Sequence, residues 1–216
     1  KGVFIEIPKE FSSFKVIDYT NKLIIPGFVD LHLHASQYQF RGTGMDKELM
    51  EWLDKYAYNE ESKFNDLEYA KKSYEMFVNE IKYGFTTRLS VFATSNMETT
   101  LELMQQLDDS GLVSYVGLVE MDRLSPDSIK QPSVEKAISD TEEYITKSQK
   151  FKYTKPIITP RFLPSCTDEL MTKLSVLRKK YNLPSQSHLD ENQDEVCHLL
   201  HQYLVLKFPM SLIVLN

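Results

Sequence analysis

Short apolar runs alternate with helical patterns along most of this chain. The apolar runs that predict strands are Lys22–His34, Phe85–Ala93, Val113–Glu120, Pro156–Phe162 and Pro184–Leu189. The periodic segments that predict helices are Asn65–Tyr83, Thr99–Leu107, Val134–Lys150 and Thr167–Tyr181. Strands that alternate with helices in this way indicate βαβ units around a parallel sheet. The sequence therefore predicts an α/β fold, with too few units to close a (β/α)8 barrel.

The composition limits the classes of function. A length of 216 residues suits one domain, or one domain and a small part of another. A net charge of −6 without a basic cluster argues against nucleic acid or a membrane surface as partner. No apolar run approaches the roughly 20 residues of a membrane span. Cys166 and Cys197 form neither a CxxC pair nor a disulfide framework. We expect a soluble cytoplasmic protein whose natural N-terminus lies upstream of Lys1, because the chain does not begin with Met.

The strongest chemical signal is the sequence Asp30-Leu31-His32-Leu33-His34, at the end of the first predicted strand. Because side chains alternate along a strand, His32 and His34 point to the same face, with Cβ atoms about 7 Å apart. Two neutral imidazoles on one face are a natural half of a zinc site. An HxH pair alone is more often two ordinary half-buried or surface histidines. The ends of parallel barrel strands are where active sites form, however, so both histidines are predicted metal ligands.

A third histidine precedes a group of carboxylates. His188 ends the fifth predicted strand, so we expect it at the same edge of the sheet as the first two histidines. Glu191 follows three residues later, where a carboxylate can serve as the base for a metal-activated water. The plainer interpretation is an acidic helix start, which the helix dipole favours. For Asp190, Asp194 and Glu195, taken alone, the plainer interpretation is the better one.

Three more residues fit a pocket for a planar heterocycle. Arg161 offers a planar fork of donors and Phe162 a flat apolar face, at the end of the fourth predicted strand. Gln37 follows the histidine pair, and its amide both donates and accepts. Taken singly, these residues are more often a surface arginine, a core phenylalanine and a solvated glutamine.

Four other residues have weaker claims to a function. Trp52 is predicted to be core or a pocket wall. Cys166 lies at a predicted helix N-terminus that could lower its pKa, although a structural role is the stronger interpretation. His198 and His201 share a helical face if that stretch is helical, but without an HExxH pattern a metal role is weakly supported.

Three separated segments resemble motifs of the guanine deaminases, a family of the zinc-dependent amidohydrolase superfamily. The segments are PGFVDLHLHASQY, ITPRFLPSC and SQSHLDENQDEV. The stretches EWLDKY, GFTT and VEMDRLSPD are also similar to that family. The HxH and His-x-x-Glu patterns indicate only the superfamily, whereas SQY after the HxH, together with PRF, indicates the family.

The resemblance implies a fold and a division of the chain. Residues 21–196 would be the N-terminal portion of an amidohydrolase-type (β/α)8 TIM barrel. Residues 1–20, with predicted strands Val3–Ile7 and Phe14–Tyr19, would be the remnant of a small β-sandwich domain. Residues 197–216 differ from the family and form an apolar tail.

The resemblance also implies roles for particular residues. One zinc ion would bind His32, His34 and His188, and Glu191 would be the catalytic proton shuttle. The residues implied to contact the substrate guanine are His34, Gln37, Arg161, Phe162, His188 and Glu191. The implied reaction is the hydrolytic deamination of guanine to xanthine and ammonia by a metal-activated water, a step of purine catabolism.

The chain departs from the family in two respects. Asp190 stands where the family usually has serine. The family also places a further histidine and a metal-binding aspartate on later barrel strands, which this sequence does not reach. We therefore expect a truncated form with weak or no deamination alone, whose open sheet edges and apolar tail favour a homodimer. The alternatives are a deaminase of another nitrogen heterocycle and a non-catalytic fragment that acts as a binding module.

Overall fold

The computed structural model describes residues 8–193 and 195–197. Its strands are β1 Phe28–His34, β2 Thr86–Phe92, β3 Val113–Gly117, β4 Val119–Glu120, β5 Thr154–Pro156 and β6 Thr159–Pro160. Its α-helices are α1 Leu49–Trp52, α2 Tyr58–Ser62, α3 Leu67–Lys82, α4 Met97–Ser110, α5 Val134–Ser148 and α6 Asp168–Tyr181. A π-helical segment, Leu53–Ala57, joins α1 to α2. Short 3-10 helices occupy Lys9–Phe11, Ala35–Phe40, Lys63–Asn65 and Leu163–Ser165. The alternation of strands and helices confirms the predicted α/β class.

A parallel sheet forms the centre of the fold. Its strand order, β1-β2-β3-β5, follows the order of the strands in the chain. A second parallel pair joins β4 to β6, and isolated parallel bridges link Ile158 to Ser185 and Phe162 to His188. Because all pairings are parallel, the carboxyl ends of the strands lie at one edge, the usual place for a site in such folds.

Several predicted strands are shorter than the sequence pattern implies. The predicted strand Pro156–Phe162 is divided into β5 and β6, because the chain changes hydrogen-bond partner between them: the Ile157 N–H donates to Val116 of β3, whereas the Ile158 N–H donates to Pro184. The predicted strand Val113–Glu120 is interrupted at Leu118, between β3 and β4. The prediction of a continuous strand over Pro184–Leu189 is wrong, since that segment makes isolated bridges only.

The N-terminal segment differs from the small β-unit that the sequence predicts. No strand forms within residues 8–27, so the predicted strand Phe14–Tyr19 is wrong. Phe14, Val16 and Ile17 are exposed there, and a two-stranded hairpin without a buried apolar face is at best marginally stable in water. The predicted strand Val3–Ile7 and most of the apolar tail, 198–216, lie outside the described residues. The domain boundaries therefore stay predictions.

The four long helices begin at side-chain caps and pack their apolar faces into one core. The capping residues are Asp66, Asn96, Ser133 and Thr167, whose side-chain oxygens accept hydrogen bonds from backbone N–H groups. The helical periodicity of Asn65–Tyr83 correctly predicts α3, whose buried face carries Ala70, Tyr74 and Phe77 into the core. Within residues 8–193 and 195–197, no helix has the length and apolar character to cross a bilayer.

Candidate metal centre and binding cavity

Three histidine rings converge at the carboxyl ends of the strands. One nitrogen from each of His32, His34 and His188 lies within 4.8 Å of the others, and the Nε2 atoms of His34 and His188 are 2.9 Å apart. The register of β1 against β2 shifts between Asp30 and Leu33, and the His32 N–H donates to Asp30 Oδ1 over 3.1 Å. Irregularities of this kind re-aim side chains along a strand. The structure thus brings together the three histidines that the sequence singles out.

Burial keeps two of these imidazoles neutral. It lowers the pKa of His34 well below its ordinary value and lowers the pKa of His188 to about 4. His188 Nδ1 lies 2.6 Å from the backbone carbonyl oxygen of Arg161. Because a carbonyl only accepts, Nδ1 carries the proton and Nε2 keeps its lone pair toward His34. Histidine binds metals as the neutral imidazole, usually with its other ring nitrogen hydrogen-bonded to the protein. His188 meets both conditions.

The histidines line a cavity of about 280 Å³. Its other lining residues are Gln37, Leu49, Trp52, Leu53, Arg161, Phe162 and Glu191. Every residue that the sequence analysis assigned to the metal, the substrate or the proton shuttle therefore borders one cavity. Apolar and aromatic walls with a few convergent polar groups are typical of sites for small molecules.

Arg161 is held by a buried carboxylate. Its Nη2 donates to Glu61 Oε1 over 3.0 Å, and its Nη1 donates to Glu61 Oε2. Both side chains are 4% exposed, and Arg161 lies over the ring of Tyr58, 5.3 Å from its centroid. Burial opposes the charge of Arg161, but the adjacent Glu61 raises the pKa of the guanidinium above its ordinary value. Gln37 Nε2 donates to the same Glu61 Oε1 over 3.3 Å, so one carboxylate orients two cavity residues. The plainer interpretation of Arg161 as a surface residue is wrong.

Glu191 is an exposed residue of the cavity lining. Hydrogen bonds that involve Asn192 and Glu195 hold its backbone in place. Its N–H donates to Glu195 Oε2 over 2.8 Å, and the Glu195 N–H donates to Asn192 Oδ1 over 2.8 Å. This arrangement is a variant of the capping box, and Glu195 is buried within it. Asp190 has a φ of 56°, a left-handed conformation that Asp tolerates, and it turns the chain from His188 toward Glu191.

The structure describes two of the four residues with weaker sequence evidence for a function, Trp52 and Cys166. Trp52 lines the cavity and its Nε1 donates to the carbonyl of Thr43 over 2.8 Å, which confirms the pocket-wall interpretation. Cys166 is buried, and burial raises its pKa to about 11, so the lowered pKa considered from its position is wrong. His198 and His201 lie outside the described residues.

The sequence did not predict a role for Glu61. In the run Glu60-Glu61-Ser62 it resembles any pair of surface charges, and its partner Arg161 is 100 positions away. The one signal in the sequence is the spacing of Glu61 from Tyr58, three residues apart and therefore on the same side of a helix. In the structure both of these residues are buried on α2.

The parallel α/β architecture and the histidine cluster at its strand ends define a barrel-type protein with a candidate metal centre. The sequence pattern of the amidohydrolase family matches residues 23–209. The chain therefore belongs to the amidohydrolase family.

Several individual proteins are similar to most of this chain. The guanine deaminase of Dictyostelium discoideum is 42% identical over 183 residues, which are 84% of this chain and 40% of that protein. Human guanine deaminase is 36% identical over 178 residues, 82% of this chain and 39% of that protein. The crystal structure of a guanine deaminase from C. acetobutylicum, with guanine bound in its active site, matches with a TM-score of 0.88 at 45% identity. That match covers 94% of this chain and 48% of the other. The chain thus spans less than half the length of these relatives and corresponds to the N-terminal part of the barrel fold.

Proposed function

We propose that the protein carrying this chain is a zinc-dependent guanine deaminase, which hydrolyses guanine to xanthine and ammonia. The observation that carries the proposal is the shared cavity, where three histidines face a donor fork, an amide and an aromatic ring. A relative 45% identical to this chain holds guanine in its active site, which supports the choice of substrate.

One zinc ion fits the chemistry of the donor set. His32, His34 and His188 would hold it, because three imidazole nitrogens within 4.8 Å of one another match the ligand preference of zinc. When bound, zinc supplies Lewis-acid chemistry and lowers the pKa of a bound water to about 7. The hydrogen bond between His188 and the Arg161 carbonyl would fix the ring that faces the ion.

The remaining cavity residues would bind and orient the purine. Arg161 donates only, so it suits an acceptor oxygen of the substrate. Phe162 is 2% exposed and offers a flat wall beside the base. Gln37 contributes an amide to the base edge, and the rings of His34 and His188 border the reacting side of the cavity.

Glu191 would move the proton. Its carboxylate would receive a proton from the attacking water and return it to the exocyclic nitrogen, which leaves as ammonia. Its position in the cavity lining, with its backbone N–H held by Glu195 Oε2, suits this exchange because the carboxylate borders the same cavity as the three histidines.

A substrate profile tests the proposal. Zinc-loaded protein carrying this sequence is assayed with guanine, adenine, cytosine and a triazine, by ultraviolet absorbance and release of ammonia. We expect the protein that carries this chain to convert guanine, with a loss of about 100-fold or more in Glu191→Gln and little change in the neighbouring Asp190→Asn control; for the 216-residue chain alone, weak or no deamination stays the prediction. Preferential conversion of another heterocycle, or zinc-loaded folded protein that binds guanine without converting it, would contradict the proposal. A cytoplasmic location and a homodimer stay predictions of the sequence.

A further inference from the structure

The carboxylate of Glu61 lies behind the cavity and contacts two of its lining residues. It accepts hydrogen bonds from both terminal nitrogens of Arg161 and from Nε2 of Gln37. Because Glu61 and Arg161 are each 4% exposed, water does not compete for the hydrogen bonds between these two side chains. A bidentate pair of this kind fixes the plane of the guanidinium as well as its position.

The same contact sets the charge of the cavity wall. Glu61 and Arg161 form a buried ion pair and neutralise each other. A buried guanidinium without a partner would favour an anionic ligand, whereas a neutralised pair does not. The wall therefore favours a neutral ligand that carries a hydrogen-bond acceptor.

Glu61 also decides which end of the Gln37 amide is available. The amide N–H group of Gln37 is directed at the carboxylate, which leaves its carbonyl oxygen as an acceptor for a ligand. Arg161 can only donate. The two residues thus offer one fixed donor and one fixed acceptor, the complement of a lactam edge in which C=O lies beside N–H. An amidine edge, with an amino group beside a bare ring nitrogen, presents the opposite order.

We propose that Glu61 is a positioning residue that makes this cavity specific for a neutral lactam edge, through Arg161 and Gln37. The inference rests on the proposed function, because it concerns how the same cavity distinguishes guanine from aminopurines. Glu61 does not touch the substrate. Its effect is transmitted through the two side chains that it orients.

Calorimetric titration of two purines tests the inference. Zinc-loaded protein that carries Glu191→Gln, so that guanine is bound without being converted, is titrated with guanine and with 2,6-diaminopurine, which replaces the lactam oxygen by an amino group. We expect this parent form, with Glu61 intact, to prefer guanine by roughly 10- to 100-fold, the discrimination that a bidentate pair typically provides. Glu61→Gln should reduce this preference to a few-fold, because a single amide oxygen cannot hold both partners and the Gln37 amide is free to turn over. Glu60→Gln is the matched control and should keep the full preference, since Glu60 pairs with Lys63 on the surface.

Further variants and readouts separate the outcomes. Glu61→Asp keeps the charge but withdraws the carboxylate by roughly 1.5 Å, so it should fold and show a smaller loss of preference if Glu61→Gln does not fold. An unchanged preference in the folded variant, or an equal loss of affinity for both purines, would overturn the positioning role. If the parent form binds neither purine, the proposed function fails. The NMR shifts of the Gln37 side-chain amide then still decide the inference, because identical shifts in wild type and variant would overturn it.

Discussion

Glu120 provides a pH-dependent test of the packing of this fold. Its side chain is fully buried at the end of β4, where Thr141 Oγ1 donates to Glu120 Oε1 over 2.9 Å. Burial raises the pKa of this carboxyl from 4.5 to about 8. Between these two values the folded chain retains a proton that the unfolded chain has released. The free energy of unfolding therefore decreases as the pH rises through this window.

The size of the effect follows from the same shift. At about 1.4 kcal/mol per pH unit, the loss of stability across the window is about 5 kcal/mol. Glu120→Gln keeps an acceptor for Thr141 and removes the titration. We expect the variant to match the wild-type protein near pH 5 and to exceed its stability by several kcal/mol near pH 9, in urea unfolding followed by circular dichroism. Glu143→Gln is the control, because that carboxylate is exposed on α5 and pairs with Lys147. The reasoning would be refuted if the wild-type protein and Glu120→Gln had the same pH dependence.

Two further predictions concern close packing and thiol reactivity. Gly117→Ala should destabilise the fold by about 1–3 kcal/mol in the same unfolding assay, because an added Cβ would lie 1.9 Å from Thr159 Oγ1; an unchanged midpoint would show that the neighbouring strand yields without strain. Alkylation of the native protein should modify the exposed Cys197 and leave the buried Cys166 unmodified until denaturant is added. Mass spectrometry of the peptides distinguishes this from simultaneous modification of both thiols.

The sequence predicts most of the helices of this fold and fewer of its strand boundaries. The limits of α3 and α6 were accessible because Asp66 and Thr167 are capping residues next to periodic apolar segments. The helix α4 begins at Met97, after its Asn96 cap, two residues before the predicted start at Thr99. Strand limits depend on hydrogen bonds between segments that are distant in sequence. Between β5 and β6 the backbone changes partner from Val116 at Ile157 to Pro184 at Ile158, which apolar patterning does not reveal.

The candidate site was predictable where its chemistry is local. The alternation of side chains along β1 places His32 and His34 on one face, and parallel strand order brings His188 to them. Glu61 was not predictable in this way, because its role depends on contact with Arg161, 100 positions away, and on burial of both side chains. A local pattern therefore identifies the histidines of the candidate site, whereas Glu61, which contacts both Arg161 and Gln37, is found only from the tertiary structure.

The central claim is that His32, His34 and His188 hold the metal ion beside which the substrate is bound. Elemental analysis of zinc after reconstitution and desalting tests it most directly, on the wild-type protein and on a variant with all three histidines replaced by alanine. We predict close to one zinc per chain in the wild-type protein and none in the folded triple variant. Equal zinc content in the two proteins, or a wild-type protein that binds guanine but no zinc, would contradict the account.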